Sequence, residues 1–133
     1  MTDTRELKIG VRSYEEAKRV TLARARGQER RPADEPSVWV TSLNSIGQLL
    51  SPENLELLTL IDTQKPASVA ALADMAHRAT SNVQRTLSTM ESYGLVSFVD
   101  GPRGAKAPQL ACDRVNIVCE LRNVSAAGLP SIG

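Results

Sequence analysis

The sequence TSNVQRTLSTMESYGLVSFV, residues 80–99, predicts one helix, a glycine stop and a short strand. One apolar stripe recurs along the helix at the spacing of successive turns: Val83, Leu87 and Met90. Thr80 carries a hydroxyl that can accept from the free amides of a first turn, so it is the predicted N-cap. Gly94 can adopt the left-handed conformation that ends a helix, and the β-type residues after it predict the strand.

The opposite face of this helix is polar and has no acidic residue before Glu91. It carries short hydroxyls, amides and one guanidinium: Ser81, Asn82, Gln84, Arg85, Ser88 and Thr89. Asn and Gln can form two hydrogen bonds to adenine, and Arg can do so with guanine, so this face suits base edges in a DNA groove. The alternative is an ordinary solvated helix face, because Ser, Thr and Asn are common on surfaces.

A second short helix is predicted just before it, over residues 69–76, with Ser68 as its cap. Residues 77–79, His-Arg-Ala, then form a three-residue turn. Two short helices joined by a tight turn, the second polar on its outer side, are typical of a helix-turn-helix. This places Thr80, at the start of the second helix, among the candidate DNA contacts.

The segment DGPRGAKA, residues 100–107, lies between two β-type stretches and predicts the tip of a β-hairpin. Its cations are Arg103 and Lys106. An exposed basic hairpin beside the polar helix is typical of a wing, whose cations neutralise phosphates next to the groove. An ordinary solvated turn is the alternative.

The N-terminal part predicts a strand-helix arm and linker over residues 1–36, for dimerisation or partner binding. Residues 6–12 alternate as a strand does, and Ser13 with Glu16 forms a capping box for a helix whose apolar stripe includes Tyr14. Residues 28–37 carry two prolines and many charges, as linkers do.

The remainder predicts a DNA-binding domain over residues 37–122 and a flexible tail over residues 123–133. An extended segment at 38–41, a short helix at 43–50 and a helix beginning at Ser51-Pro52 come first. That last helix is apolar on most sides and is expected to be buried. Residues 114–121 alternate as a final strand, either an added sheet edge or a dimer contact.

Composition limits the function classes. The chain has 133 residues, 41% hydrophobic and 23% charged, which is typical of a soluble globular protein. Aromatic residues make up only 3%, which argues against a stacking surface for single-stranded nucleic acid. The net charge is +1, but residues 1–37 hold nine Lys and Arg against seven Asp and Glu.

The sequence offers no constellation for catalysis or metal binding. Cys112, Cys119 and His77 lack the spacing of a zinc site, and two buried free thiols in a reducing cytoplasm are expected. Neither a glycine-rich phosphate loop nor a carboxylate pair occurs. We therefore expect a protein that is not an enzyme and has no cofactor. No apolar run predicts a signal peptide or a membrane span, so the expected location is the cytoplasm.

Residues 51–98, SPENLELLTLIDTQKPASVAALADMAHRATSNVQRTLSTMESYGLVSF, resemble the winged-helix regulators of the MarR-like group. They are most similar to a family of small DNA-binding proteins with a P-x-S-V-x-E-L-A segment followed by S-N-V-x-R-x-L-x-x-L-E-x-x-G-L-V. Its members are often the DNA-binding antitoxin half of toxin–antitoxin pairs.

The resemblance implies an α+β fold, a winged helix-turn-helix with an N-terminal strand-helix extension. It implies a homodimeric regulator, an autorepressor, that binds a palindromic operator in double-stranded DNA. The positions that carry over are Ser81, Asn82, Gln84, Arg85 and Ser88 on the helix, and Arg103 and Lys106 on the wing. The alternative function is a protein-interaction module that neutralises a cognate toxin, with DNA binding secondary.

Overall fold

The computed structural model of the chain describes residues 4–28 and 35–121 and has an α+β fold. Its elements follow in chain order: β1 (Glu6–Val11), α1 (Tyr14–Ala25), β2 (Val38–Val40), α2 (Leu43–Leu49), α3 (Pro52–Gln64), α4 (Val69–Ala76), α5 (Thr80–Tyr93), β3 (Val96–Asp100), a 3₁₀ turn (Pro102–Gly104), β4 (Lys106–Leu110) and β5 (Arg114–Cys119). The predicted linker lies largely outside the described residues, and the predicted tail lies wholly outside them.

The described residues divide into two compact units. The first holds the residues up to Leu7 together with Ile46–Arg114, and the second holds Lys8–Ser45 together with the residues after Arg114. This division groups the predicted arm with the last strand, whereas the sequence analysis placed that strand with residues 37–122. The predicted domain bounds at residues 36 and 122 stay predictions.

Helix α3 begins as its sequence predicts. The Ser51 hydroxyl accepts from the amide of Asn54 at 3.3 Å, and Pro52 takes the first helical position, where its missing N–H costs nothing. Leu57 and Ile61 are buried, but Leu55 is exposed. The expectation of burial on most sides is therefore wrong for Leu55, because the neighbouring elements cover only one side of this helix.

Helices α4 and α5 are joined by the predicted turn. Ser68 caps α4 by accepting from the amide of Ala71 at 3.0 Å. His77 takes the left-handed conformation, with φ of 57°, and so ends α4 without a glycine. Gly94, with φ of 91°, ends α5 as predicted, because a residue without a Cβ adopts this conformation at little cost.

The start of α5 corrects one prediction. Ala79, not Thr80, is the extended residue that precedes the helix, with φ of −65° and ψ of 136°. Thr80 is already the first helical residue, so its hydroxyl lies past the N-cap position. Ala79 has no side-chain acceptor, and the helix starts without a side-chain cap.

Strands β3 and β4 form the predicted antiparallel hairpin, in which Val96 pairs with Leu110 and Asp100 with Lys106. A Cβ added to Gly101 would lie 2.8 Å from the carbonyl oxygen of Ala67, so glycine permits the turn to approach the end of the α3–α4 connection. The first unit has one apolar core, drawn from its helices and hairpin: Leu57, Ile61, Leu72, Ala73, Val83, Leu87, Met90, Leu95 and Val96.

Most of a three-stranded sheet, in the order β2-β1-β5, belongs to the second unit. Strands β1 and β2 are parallel, and Gly10 pairs with Trp39. A Cβ on Gly10 would lie 2.3 Å from the Trp39 ring, so a side chain at this position would displace the indole. The Arg12 guanidinium carbon lies 3.2 Å from the centroid of the same ring, in a cation–π contact.

Helix α1 begins at the predicted cap, where the Ser13 hydroxyl accepts from the amide of Glu16 at 3.1 Å. Val20 and Ala23 supply its buried face. Tyr14, which the sequence placed in the apolar stripe, is 71% exposed. That part of the prediction is wrong, because Tyr14 is the first helical residue and no described element covers it.

Charged groups support α1. Arg24 donates two hydrogen bonds to the carboxylate of Glu35, one of them at 3.0 Å, and Arg12 lies 3.8 Å from the same carboxylate. Burial lowers the pKa of Arg12, and the charge of Glu35 opposes that shift. Glu35 is only 5% exposed, so it works as a largely buried counter-ion for two cations.

Both thiols are free, but the expectation that both are buried is wrong. Cys119 is exposed because it ends β5, which lies at the edge of the sheet. Cys112 is half-buried, and this burial raises the pKa of its thiol. In the part of the chain that the structure describes, no helix has the length and apolar content needed to cross a membrane.

Candidate nucleic-acid interface

Helix α5 is anchored in the first unit by one face only. Val83, Leu87 and Met90 are fully buried, as their spacing predicts. The opposite face is exposed along its whole length: Thr80, Ser81, Asn82, Gln84, Arg85, Ser88 and Thr89. The structure therefore places all seven of these predicted residues on one solvent-facing surface. Only the prediction that Thr80 caps the helix is wrong.

Arg85 is the free cation on this surface. Among residues 4–28 and 35–121, no carboxylate or other side chain pairs with its guanidinium, which stays exposed. Its main-chain carbonyl accepts from the Thr89 hydroxyl at 3.2 Å. On the same face, the side-chain amide of Gln84 donates a long hydrogen bond of 3.4 Å to the hydroxyl of Ser88, one turn further along the helix. Arg85 thus presents all five of its N–H donors to solvent or to a ligand.

Asn82 is less free than the sequence suggests. Its side-chain oxygen accepts two hydrogen bonds from Arg78, one of them at 3.2 Å from Nε. Arg78 also donates from Nη1 to the side-chain oxygen of Asn54 at 3.1 Å. Asn82 therefore keeps its two amide donors for a ligand while its acceptor is occupied, which restricts the base edges that it can match.

Arg78 is a further candidate interface residue, which local sequence patterns did not single out. It lies in the turn before α5 and is held at both ends, by Asn54 and by Asn82. Arg78 lies four residues before Asn82, and this spacing is the sequence signal that could have predicted their contact. Asn54 lies 24 residues away in the chain, so no local pattern predicts its part.

The first turn of α5 adds backbone donors to this cation. No side chain in the described part of the chain caps the helix at Ala79. The first amides of a helix lack intrahelical acceptors and carry the positive end of the helix dipole, so they attract anions such as phosphate. Thr80 and Ser81 are both exposed beside these amides and can add hydroxyl donors. Thr80 is therefore not the cap of the helix but an exposed hydroxyl in its first turn.

The two hairpin cations differ from each other. Arg103 lies in the 3₁₀ turn at φ of 59°, exposed, and no partner for its guanidinium exists among the described residues. Lys106 lies on β4 and donates to the carboxylate of Asp100, the residue opposite it in the hairpin. Asp100 offsets the charge of Lys106, so Arg103 is the stronger candidate for a phosphate contact.

A recess of about 410 Å³ lies between α5 and the hairpin. Its lining includes residues of the polar helix face, one hairpin cation, one acid and one aromatic ring: Gln84, Ser88, Lys106, Glu91 and Phe98. The structure therefore brings Lys106 next to Gln84 and Ser88. Glu91 places a negative charge in this recess, and the cations Arg78 and Arg85 are not part of its lining.

In residues 4–28 and 35–121, no three His, Cys, Asp or Glu side chains are grouped as metal ligands. The family comparison matches residues 49–117, just over half of the chain, to the HVO_A0114 family. The matched segment includes α3, α4, α5 and the hairpin, and therefore every residue of the candidate interface. No curated protein and no solved structure matched the chain. The chain belongs to the HVO_A0114 family.

Proposed function

We propose that this member of the HVO_A0114 family is a sequence-specific DNA-binding transcriptional regulator. In this proposal α4, α5 and the β3–β4 hairpin form a winged helix-turn-helix of the MarR-like kind. Helix α5 enters the major groove and the hairpin contacts the adjacent phosphates. The protein acts in the cytoplasm as a homodimer on a palindromic operator and represses its own gene.

The observation that carries the proposal is the division of α5 into two faces. Three fully buried side chains hold the helix, so its polar face has no part in the core. That face has no acid before Glu91 and has Arg85 unpaired within the described residues. Arg can form two hydrogen bonds to guanine, and Gln can do so with adenine, which gives the face the donors and acceptors needed for base readout.

Phosphate contacts are available at both ends of the surface. Arg78 and the uncapped amides of the first turn lie at the start of α5. Arg103 lies on the hairpin. Such contacts set the position of a protein on DNA and make its affinity depend on salt. With so few cations we expect modest affinity from one domain, which is why the proposal includes a dimer.

A binding experiment with the full chain tests this function. The probe is a DNA fragment containing the promoter of the protein's own gene, and the dissociation constant is measured by fluorescence anisotropy at several salt concentrations. Arg85→Ala should cost about 1–3 kcal/mol on the specific fragment, or roughly 5- to 150-fold. Arg103→Ala should weaken specific and random DNA about equally and lower the salt slope by about 1.

Lys18→Ala is the matched control, since it removes an exposed cation from α1, outside the candidate interface. Its dissociation constant and salt slope should equal those of the unchanged protein. The proposal fails if Arg85→Ala and Arg103→Ala both bind as tightly, and with the same salt slope, as Lys18→Ala.

The second candidate is an antitoxin whose main task is to hold a toxin. The observation that favours it is an apolar surface on α1, outside the segment matched by the family. Tyr14 and Leu22 line a recess of about 280 Å³ there. Co-expression with the product of the adjacent gene should then yield a stable complex that Tyr14→Ser and Leu22→Ser weaken. Arg85→Ala would leave that complex intact while weakening DNA binding.

A further inference from the structure

Strand β5 lies at one edge of its sheet. In the order β2-β1-β5 it has one neighbour, so along its other side no strand pairs with it within the described residues. Such an edge presents unpaired N–H and C=O groups that can template another strand. Lysine and proline, which commonly block edges, are absent from Arg114–Cys119. No residue of this strand is fully buried, and Ile117 at its centre is 38% exposed.

We propose that β5 pairs with β5 of a second copy of this chain. The two strands run antiparallel about a two-fold axis at Ile117, and the two sheets join into one of six strands. The proposal deepens the function proposed above and rests on it for its purpose, since it assigns the surface that brings two copies of α5 to one operator. The pairing itself is argued from β5 alone.

Symmetry limits the possible registers. A two-fold axis perpendicular to a sheet keeps each residue on the same face, and directly opposed residues share a face, so the axis must pass midway between one residue of the strand and its own copy. Centred on Ile117, the register places Arg114 opposite Glu120 of the second copy, the residue that directly follows the strand, twice in the dimer. Centring on Asn116 instead places Arg114 opposite Val118, and centring on Val118 places Glu120 opposite Asn116. Only the register at Ile117 joins opposite charges.

The same register also matches the apolar residues. Val115 lies opposite Cys119 of the second copy, and Ile117 lies opposite its own copy, all on one face of the strand. This continues the alternation that the sequence shows and covers side chains that a single chain leaves partly exposed. Arg114 lies 3.8 Å from Glu6 in its own chain but stays 65% exposed, so its guanidinium can also reach a second carboxylate.

Disulfide trapping tests the register directly. Ile117→Cys is made in the full chain with Cys112→Ser and Cys119→Ser, without DNA. Directly opposed residues of antiparallel strands have Cα atoms about 4.5–5.5 Å apart, within disulfide range. Mild oxidation should therefore give a covalent dimer that dithiothreitol reverses. Asn116→Cys in the same background is the control, since Asn116 lies opposite Val118 of the second copy and should not cross-link.

Charge reversal tests the pairing without new cysteines. Arg114→Glu and Glu120→Arg should each raise the dimer dissociation constant roughly 2- to 30-fold, because each places like charges opposite each other twice. The double variant carrying both changes should restore the original value. Sedimentation velocity over a range of protein concentrations measures these constants, and circular dichroism verifies that each variant is folded.

The outcomes separate this proposal from the function above. A dimer that cross-links at position 117 and recovers with the double reversal supports the pairing, whether or not it binds DNA. A monomer at every concentration, or a dimer that cross-links equally well at position 116, overturns it. DNA binding by a protein that fails both tests would leave the proposed function standing and remove this interface.

Discussion

Helices α5 and α1 are similar in length, at 14 and 12 residues, but they are held by different means. Helix α5 buries three large side chains completely and makes little use of its polar face within the chain. Helix α1 buries only Val20 and Ala23, and its polar residues form ion pairs, Arg24 with Glu35 and Arg19 with Glu16.

The difference shows how a polar helix face becomes available to a partner. Apolar burial supplies most of the free energy that fixes a helix on a protein, so a helix with enough of it needs no help from its outer residues. Helix α5 meets that condition, so its outer side chains are not needed to hold the helix in place. In α1 the charged residues contribute to the fold, so fewer of them can be changed without a loss of stability.

The largest effect is expected in the core of α5. Leu87 is fully buried, so Leu87→Ala removes buried methyl groups and leaves a cavity, which should lower the free energy of unfolding by about 2–5 kcal/mol. Leu22→Ala makes the same change on α1, where the side chain is 45% exposed, and should stay within about 0.5 kcal/mol. Urea unfolding followed by circular dichroism measures both. Equal losses would contradict the contrast.

A smaller effect is expected from the ion pairs of α1. Glu35→Gln removes the charge from the largely buried carboxylate that serves Arg12 and Arg24, and should cost about 1–3 kcal/mol. Glu16→Gln is the control, because the Glu16–Arg19 pair is exposed and such pairs contribute about 0–1 kcal/mol. The same unfolding experiment compares them. If Glu35→Gln is as mild as Glu16→Gln, charged groups do not hold this helix.

The smallest effect concerns pH. Hydrogen bonds from Arg19 hold the pKa of Glu16 below its ordinary value of 4.5 in the folded protein, so the unfolded chain takes up this proton first as the pH falls. The stabilisation is therefore complete above about pH 4.5 and is lost as the pH drops through the folded-state pKa. Both Glu16→Gln and Arg19→Ala should flatten that part of the curve of stability against pH. Retention of the full slope in either variant would show that another group causes it.

Local sequence patterns predicted the elements of the first unit well. The stripe of Val83, Leu87 and Met90, the serine caps and the stop at Gly94 each depend on residues within one or two turns of each other. All the residues that form such a signal lie within a short stretch of sequence. The cap at Thr80 failed because one residue separates an N-cap from a first helical position, and both Ala79 and Thr80 are consistent with the stripe.

Contacts between distant residues could not be predicted in this way. Arg78 meets Asn54 across 24 positions, and the main chain of Asp113 pairs with that of Arg5 across 108. The burial of α1 also depends on which side the other elements cover, so Tyr14 looked like a core residue and is exposed. The exposure of the polar face of α5 was predicted correctly, whereas the contact between Arg78 and Asn54 could be found only from the fold.

The strand order β2-β1-β5 also delays completion of the sheet during synthesis of the chain. The middle strand β1 ends at Val11, and β5, one of its two neighbours, begins at Arg114, about a hundred residues later. At about 5–20 residues per second, a ribosome needs roughly 5–20 s to bridge that interval. Throughout that time the edge of β1 that later pairs with β5 lacks its neighbouring strand. Chaperones that hold nascent chains would therefore have a long window in which to act on this strand.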